Sequence, residues 1–349
     1  MRVLITGHNG YIGSVMVPRF VTAGHEVVGL DTDFFAPCVM GPEPPSVESL
    51  RMDVRDVTAT DLAGFDAVVH LAAISNDPVG NLDPDLTYEI NHRASVRLAE
   101  AAREAGVARF LYSSSCSLYG AAGDDFLDET ADFNPVTPYG RSKVMAEQGI
   151  AVLANDDFTP VFLRNATAYG FSPRLRADLV VNDIVGSALT TGEVMLQSDG
   201  TPWRPLVHIE DISLAFLCAL HAPRQLVHNR AFNVGSTAEN YRISEVAEIV
   251  EDVVRGSHIA FAPNAGPDKR CYRASCDLIV RALPGFKPQW TVRRGVEQLA
   301  DAYRRNGLTL DELRGDRFVR LRRIDALMNA GRIDAALRWA DRGAARPAA

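Results

Sequence analysis

Tyr139 and Lys143 stand four residues apart in the segment TPYGRSKVMAEQ. In a helix this spacing places the phenol and the ammonium on one face, and Thr137 and Pro138 suit the N-cap and first helical positions. A neighbouring ammonium favours the phenolate. Such a tyrosine can take the proton of a hydroxyl group while a hydride leaves the same carbon. The pair therefore predicts an acid/base site for hydride transfer.

A serine-rich loop, SSSCSLYG at 113–120, precedes this pair and contains Cys116. One interpretation is that Cys116 is a small, half-buried hydrophobe, as free cysteines commonly are. The other is that its thiol donates or accepts a proton, because a neighbouring positive charge can lower a thiol pKa towards neutrality. Both interpretations remain open on the sequence.

A glycine loop, TGHNGYIG, places Gly7, Gly10 and Gly13 directly after the apolar run RVLIT. Glycines there allow a tight turn and let a helix N-terminus face a pyrophosphate. Asp31 follows Gly13 by 18 residues, where a carboxylate can accept both ribose hydroxyls of an adenosine and repel a 2′-phosphate. The pattern predicts NAD rather than NADP, with Asp53 and Val54 of MDVRD at the adenine edge.

Short apolar runs alternate with helical patterns at 11–23, 84–105 and 139–154. This alternation predicts an α/β fold, a Rossmann-type doubly wound parallel sheet with a smaller, partly interleaved C-terminal substrate lobe. We expect an NAD-binding domain over 1–170, to which 205–235 return, and a smaller lobe over 171–310 that closes over a ligand. An arginine-rich helical tail is expected over 311–349, with the spacing of a surface helix that frays at its end.

Composition narrows the partners and the compartment. The net charge of -8 argues against nucleic acid, and the chain has no apolar run long enough for a membrane span. The N-terminus does not resemble a signal peptide. Five cysteines without a CxxC pair favour a reducing cytoplasm and no metal site.

Ten segments together resemble an extended short-chain dehydrogenase/reductase of the NAD-dependent epimerase/dehydratase family, whose members act on nucleotide sugars. They cover roughly residues 1–300 and comprise TGHNGYIG, Asp31, MDVRD, HLAA, Asn91, SSSCSLYG, YGRSK, LRNATAYG, SDGTPWRPLVHIED and GPDKRCYRASCD. The resemblance implies that Ser115 binds the reacting sugar hydroxyl, Tyr139 is the acid/base and Lys143 binds the nicotinamide ribose.

The resemblance also implies two sets of binding residues. The NAD set comprises Gly7, Gly10, Tyr11, Ile12, Gly13, Asp31, Asp53, Val54, Leu71, Ala72, Ala73, Asn91, Tyr139 and Lys143. The set for a nucleotide-diphosphate sugar comprises Ser75, Ser115, Thr167, Asp178, Leu179, Arg204 and Arg270. Thr167 stands where the family often has an asparagine, and Asn91 has the alternative role of satisfying a buried carbonyl.

The residues after Ser115 bear on the reaction. Dehydratases of the family carry Asp-Glu there, whereas this chain has Cys116 and Ser117, closer to the small residues of 4-epimerases. An epimerase acting through a 4-keto sugar with tightly bound NAD is the first hypothesis. The alternatives are a 4-ketoreductase, a dehydratase, a 3,5-type epimerase using Cys116, and a non-catalytic NAD-binding regulator. The resemblance further implies a homodimer through helices 84–105 and 139–154.

Overall fold

A seven-stranded parallel sheet forms the larger half of the computed structural model, which describes residues 1–75, 83–266 and 270–341. In chain order its strands are β1 (Arg2–Thr6), β2 (Glu26–Asp31), β3 (Glu48–Arg51), β4 (Ala67–His70), β5 (Arg109–Ser115), β7 (Thr159–Asn165) and β11 (Arg230–Val234). Their order across the sheet is β11-β7-β5-β4-β1-β2-β3. The predicted Rossmann-type fold is confirmed.

The sequence of β1 explains why both faces of this sheet are covered. Successive strand side chains point to opposite faces. Val3 and Ile5 enter one hydrophobic cluster, whereas Leu4 between them enters another on the opposite face. A continuous apolar strand of this kind is typical of a parallel sheet buried on both sides.

Helices α1 (Gly13–Thr22) and α5 (Ile209–His221) supply one covering layer. The other layer contains α2, which runs through Pro84–Tyr88, a π-helical turn over Glu89–Arg93 and Ala94–Glu104, and α3 (Pro138–Ala151). Thr137 caps α3 as predicted, because its hydroxyl accepts the Gly140 N–H at 3.1 Å. Among the helices of the described ranges, none is both long and apolar enough to cross a membrane.

The second half has its own core and smaller sheets. Its strands are β6 (Ala121–Leu127), β8 (Thr167–Tyr169), β9 (Glu193–Ser198), β10 (Trp203–His208), β12 (Asn240–Arg242), β13 (His258–Gly266) and β14 (Cys271–Ala274). Its helices are α4 (Val180–Thr191), α7 (Ile243–Val253), α9 (Val292–Arg305) and α10 (Leu310–Arg314). Two short helices, α6 (Arg224–Val227) and α8 (Asp277–Ala282), pack against the large sheet instead. The chain returns to the large sheet at β11, which pairs with β7.

The segment predicted as a separate helical tail packs instead against the cofactor-binding half. Helix α11 (Arg320–Asn329) is followed by a short bridge between Ile333 and Trp339. Apolar side chains of this segment, Ile324, Leu327, Ile333 and Leu337, form a buried cluster with Phe34 and Ile74. The predicted surface helix is present as α11, but one of its faces and the turn after it pack near the end of β2. Residues 342–349, where the fraying was predicted, lie outside the described residues.

Candidate active site

The main cleft opens where β1 lies between β2 and β4. From β1 the chain first adds β2 and β3 on one side and then crosses to add β4 and β5 on the other side. Such a reversal of strand order creates a crevice at the carboxyl ends of the strands. The cleft is lined by the glycine loop, by Asp31 and Asp53, and by Leu71, Ala72, Ala73 and Ser75 after β4. Residues far apart in the sequence therefore meet at one edge.

The glycine loop needs its glycines for close backbone approach. Gly7 has φ of +73°, its N–H donates to the Leu30 carbonyl at 2.7 Å, and a Cβ on it would lie 2.8 Å from Ala72 N. A Cβ on Gly13 would overlap the carbonyl oxygens of Gly7 and His8. The loop is thus folded tightly against α1 and leaves the room that a diphosphate requires.

Asp31 ends β2 with its carboxylate at the cleft. Oδ2 accepts the Asn9 N–H at 3.1 Å and Oδ1 accepts the Asp33 N–H at 2.9 Å. Burial raises the pKa of this carboxyl against the lowering effect of the Asp33 hydrogen bond. The glycine loop and the start of the next loop therefore fix the carboxylate at the end of β2, where it could accept hydrogen bonds from a ribose.

Asp53 and Val54 also line the cleft, but the carboxylate of Asp53 already has a partner. Arg55 donates to it twice, from Nε at 2.9 Å and from Nη2 at 2.6 Å. Burial alone would raise the pKa of Asp53, but the hydrogen bonds from Arg55 outweigh it and the pKa is lowered. This leaves Val54 and the backbone as the surface offered to a base.

Asn91 acts through the loop after β4. Its Oδ1 accepts the Ile74 N–H at 2.8 Å, and its Nδ2 donates to the Ile74 carbonyl at 2.9 Å and to Ser142 Oγ at 3.3 Å. The π-helical turn of α2 presents Asn91 for these contacts. Asn91 thus braces the cleft wall in the way that its buried-carbonyl alternative predicts.

Ser115, Tyr139 and Lys143 come together from β5 and α3. Lys143 Nζ lies 5.8 Å from the centroid of the Tyr139 ring and 4.8 Å from that of Tyr112. Ser115 Oγ accepts the Ser117 N–H at 3.1 Å, at the point where β5 ends. Ser142 of the same helix accepts a hydrogen bond from Asn91, which in turn holds Ile74 of the cleft wall. The helix that carries the proposed acid/base therefore adjoins the cleft, although Ser115, Tyr139 and Lys143 are not among its lining residues.

Lys143 is buried, with 4% of its surface exposed, and donates to the Ser113 carbonyl at 2.7 Å. Burial lowers its pKa to about 7, although Glu147 on the next helical turn opposes this. Glu147 itself forms a buried ion pair with Arg164 of β7 at 2.8 Å. A buried lysine whose pKa lies this far below its ordinary value is common in functional sites.

Cys116 is fully buried in the core below this set. Its thiol donates to the Arg164 carbonyl at 3.1 Å. Burial raises its pKa well above the ordinary value, with a further contribution from Cys276. A thiol held in this way is neither ionised nor exposed to a substrate, so the structure favours the packing interpretation of Cys116 over the catalytic one.

Arg204 and Arg270 meet at the far side of the active site. Arg204 Nη1 donates to the Trp203 carbonyl at 2.8 Å and also to the Arg270 carbonyl. Burial raises the pKa of nearby Tyr272, and Arg204 and Arg270 both oppose this. The structure thus brings Arg204 to the backbone of Arg270.

The remaining substrate candidates surround Arg176. Its Nε and Nη2 donate to Asp178 at 3.0 and 3.1 Å, and its Nη1 donates to Ser75 Oγ at 3.1 Å. Leu179 is the N-cap residue of α4, whereas Thr167 begins β8 and precedes Ala168 of the cleft wall. Asp178 and Ser75 are thus linked through a buried guanidinium.

Sequence reasoning did not identify thirteen residues of the cleft wall: Leu30, Thr32, Phe34, Phe35, Met52, Arg55, Ile74, Ile90, Ala168, Arg176, Arg320, Ile324 and Leu337. Arg176 lies in the segment PRLRADLVVN, where its alternation with Asp178 was a usable signal. The sequence of α11 gave no signal of a role in the cleft, because arginine and leucine at helical spacing predict an ordinary surface helix.

A cleft at the reversal point of a parallel sheet, with serine, tyrosine and lysine beside it, defines an enzyme of the extended short-chain dehydrogenase/reductase class. The glycine cradle and the fixed Asp31 fit a dinucleotide with free ribose hydroxyls. The chain belongs to the NAD dependent epimerase/dehydratase family, whose family model matches residues 3–235. Its cofactor is NAD, as predicted.

Individual relatives span more than one reaction. A UDP-glucose 4-epimerase of Mycolicibacterium smegmatis is 28% identical over 313 residues, covering 87% of this chain and 99% of the relative. The structure of MoeE5 in complex with UDP-glucuronic acid and NAD is similar with a TM-score of 0.77 and 27% identity, covering 87% and 99% of the two chains. The NDP-hexosamine 5,6-dehydratase TunA has a TM-score of 0.78 at 23% identity, covering 89% and 99%, a likeness of fold alone.

Proposed function

We propose that the protein is an NAD-dependent nucleotide-sugar epimerase that acts through a transient 4-keto sugar, with Tyr139 as its acid/base. The observation that carries this choice is the loop after β5. The two positions where dehydratases of the family have Asp-Glu hold a buried neutral thiol and a serine. Elimination of water needs an additional acid and base, whereas inversion at one carbon needs a single proton carrier.

Tyr139 would take the proton of the sugar C4 hydroxyl and return it after the keto sugar has turned over. Bound NAD supplies a hydride acceptor and donor at C4, so oxidation and reduction balance within one cycle. Lys143, held on the Ser113 carbonyl, lies near the phenol, and its protonated form favours the phenolate. Ser115 would orient the reacting hydroxyl by a hydrogen bond.

A nucleotide diphosphate supplies the charge that the far side of the site would recognise. Arg204 and Arg270 lie next to one another, and guanidinium groups suit phosphate through paired hydrogen bonds. The named relatives support a nucleoside-diphosphate hexose or hexuronic acid as the class to test first.

The experiment that tests this function is product analysis by NMR in deuterated buffer, with UDP-, GDP-, CDP- and dTDP-sugars and no added NADH. We expect one substrate to give its C4 epimer without deuterium on the ring, because the hydride returns internally. A deoxy keto product would identify a dehydratase, and turnover only with added NADH a ketoreductase. Bound NAD without turnover of any sugar would favour the non-catalytic regulator.

We also propose that the protein forms a homodimer through α2 and α3. Two apolar side chains of this region, Met145 and Val152, are 40% and 79% exposed. Light scattering at micromolar concentration should give the mass of a dimer, and a monomer would contradict the proposal.

All five cysteines are free thiols, which supports a cytoplasmic location.

A further inference from the structure

We infer that Arg320, supplied by the C-terminal segment 320–339, binds the diphosphate of NAD. This segment would then form part of the cofactor site. The inference rests on NAD as the cofactor and on the geometry of the cleft. It does not depend on which sugar reaction the enzyme performs.

Arg320 is a buried cation with spare hydrogen-bonding capacity. Only 5% of its surface is exposed, its Nη2 donates to the Arg174 carbonyl at 3.1 Å, and its guanidinium carbon lies 4.1 Å from the centroid of the Phe35 ring. Within residues 1–75, 83–266 and 270–341, Nη1 has no hydrogen-bond partner and the side chain forms no ion pair. A buried charge without a counterion is costly, and an anionic ligand would offset that cost.

The position of Arg320 indicates which anion it would meet. Its side chain lines the same cleft as the glycine loop and lies within electrostatic reach of both Asp31 and Arg176. Asp31 marks the adenosine ribose, and in NAD the diphosphate is bonded directly to that ribose. A cation that shares the cleft with Asp31 and the glycine loop is therefore a candidate partner for the phosphates.

The charges around it favour the same conclusion. Burial lowers the pKa of Arg320 to about 10 and neighbouring Arg176 adds to the lowering, whereas Asp178 and Asp31 oppose it. Arg176 has a direct ion pair with Asp178 at 3.0 Å, but Arg320 has none among the described residues. A diphosphate would therefore supply the close anionic partner that Arg320 lacks.

The C-terminal segment is fixed to the strand ends that hold the adenosine. Arg55, while bound to Asp53, donates from Nη1 to the Ala336 carbonyl at 2.8 Å and from Nη2 to that of Leu337 at 3.2 Å. Trp339 Nε1 donates to the Thr32 carbonyl at 2.6 Å, and Arg323 Nε to that of Phe34 at 3.2 Å. These contacts hold Arg320 at a set distance from Asp31.

The test measures ligand affinity by calorimetry on the full-length protein after its cofactor has been removed, so it needs no sugar substrate. The ligands are NAD, ADP-ribose and adenosine, of which only the last lacks phosphate. The variant is Arg320→Gln, and the matched control is Arg322→Gln, an exposed arginine of the same helix. Thermal unfolding without ligand checks that each variant folds.

We expect Arg320→Gln to weaken NAD and ADP-ribose by about tenfold or more and adenosine by less than twofold, because a charge-assisted hydrogen bond to phosphate is lost. Arg322→Gln should bind all three like the wild type. Affinity for NAD within twofold of wild type would overturn the inference. An equal loss of affinity for adenosine and ADP-ribose would also overturn it, because it would show that Arg320 shapes the cleft and does not bind the phosphates. If Arg320→Gln does not fold, Arg320→Met decides, because it fills the space against Phe35 but carries no charge: it should weaken ADP-ribose but not adenosine, and an unchanged ADP-ribose affinity would overturn the inference.

Discussion

Lys143 Nζ lies 5.8 Å from the centre of the Tyr139 ring and is held there by a 2.7 Å hydrogen bond to the Ser113 carbonyl. Both members of the pair belong to α3, whose periodicity sets their spacing, and the Ser113 carbonyl of β5 anchors the lysine to the sheet. The amino group is thereby positioned before a ligand arrives, which avoids reorganisation during the reaction.

Replacement of Tyr139 by phenylalanine should remove the proton carrier and leave the cleft intact. We expect turnover to fall by about 10²–10⁴-fold, with NAD affinity within a few-fold of wild type. Steady-state kinetics on the substrate found by NMR and calorimetry with NAD measure the two effects. Turnover within a few-fold of wild type would show that another group carries the proton.

Lys143 should make stability depend on pH in a defined direction. Its pKa is about 7 in the folded protein and 10.5 without perturbation, because burial disfavours the charged form. Between these values the unfolded chain binds more protons, so the free energy of unfolding should rise with pH by at most about 1.4 kcal/mol per pH unit.

Lys143→Met lacks this contribution, so urea unfolding of the cofactor-free proteins at pH 7 and pH 9 isolates it. The wild type should gain stability relative to the variant as the pH rises. Parallel behaviour of the two proteins would mean that the lysine titrates normally. The variant should also lose most activity at every pH.

Asp31 should set the choice between NAD and NADP. Asp31→Ala removes the acceptor for the ribose hydroxyls, and we expect NAD affinity to fall by about tenfold. NADP should bind the wild type far more weakly than NAD because of repulsion from the carboxylate. Calorimetry with both cofactors measures this, and equal wild-type affinities would refute the argument.

Cys116 should behave as a packed, unreactive thiol. Because burial keeps its pKa well above the usual value, alkylation of the native protein at pH 8 should modify the partly exposed Cys218 and Cys271 first and leave Cys116 unmodified. Peptide mass spectrometry gives the order.

Cys116→Ala should retain turnover within tenfold and incorporate no deuterium into the sugar. Wild-type exchange at C3 or C5 that disappears in the variant would instead establish an acid/base cysteine. A small loss of thermal stability is expected either way, because the alanine leaves a cavity in the core.

The sequence predicts the sheet and the catalytic pair because their signals are local. RVLIT, the glycines after it and the Thr137 cap each depend on a few consecutive residues, so spacing alone places them. The burial and hydrogen bonding of the Cys116 thiol depend instead on the carbonyl of Arg164 in another strand, 48 residues away. Arg320 meets the Arg174 carbonyl across 146 residues, and in a chain rich in arginine nothing in its neighbourhood distinguishes it.

The placement of Ile324 and Leu337 in the cleft wall has a consequence for how the protein is made. Both residues are translated after every strand of the large sheet. A nascent chain can therefore build the glycine loop and Asp31 while one side of the cleft is still open. Full retention of the dinucleotide should begin only when residue 339 has left the ribosome, so loading of the cofactor should follow the completion of the large sheet.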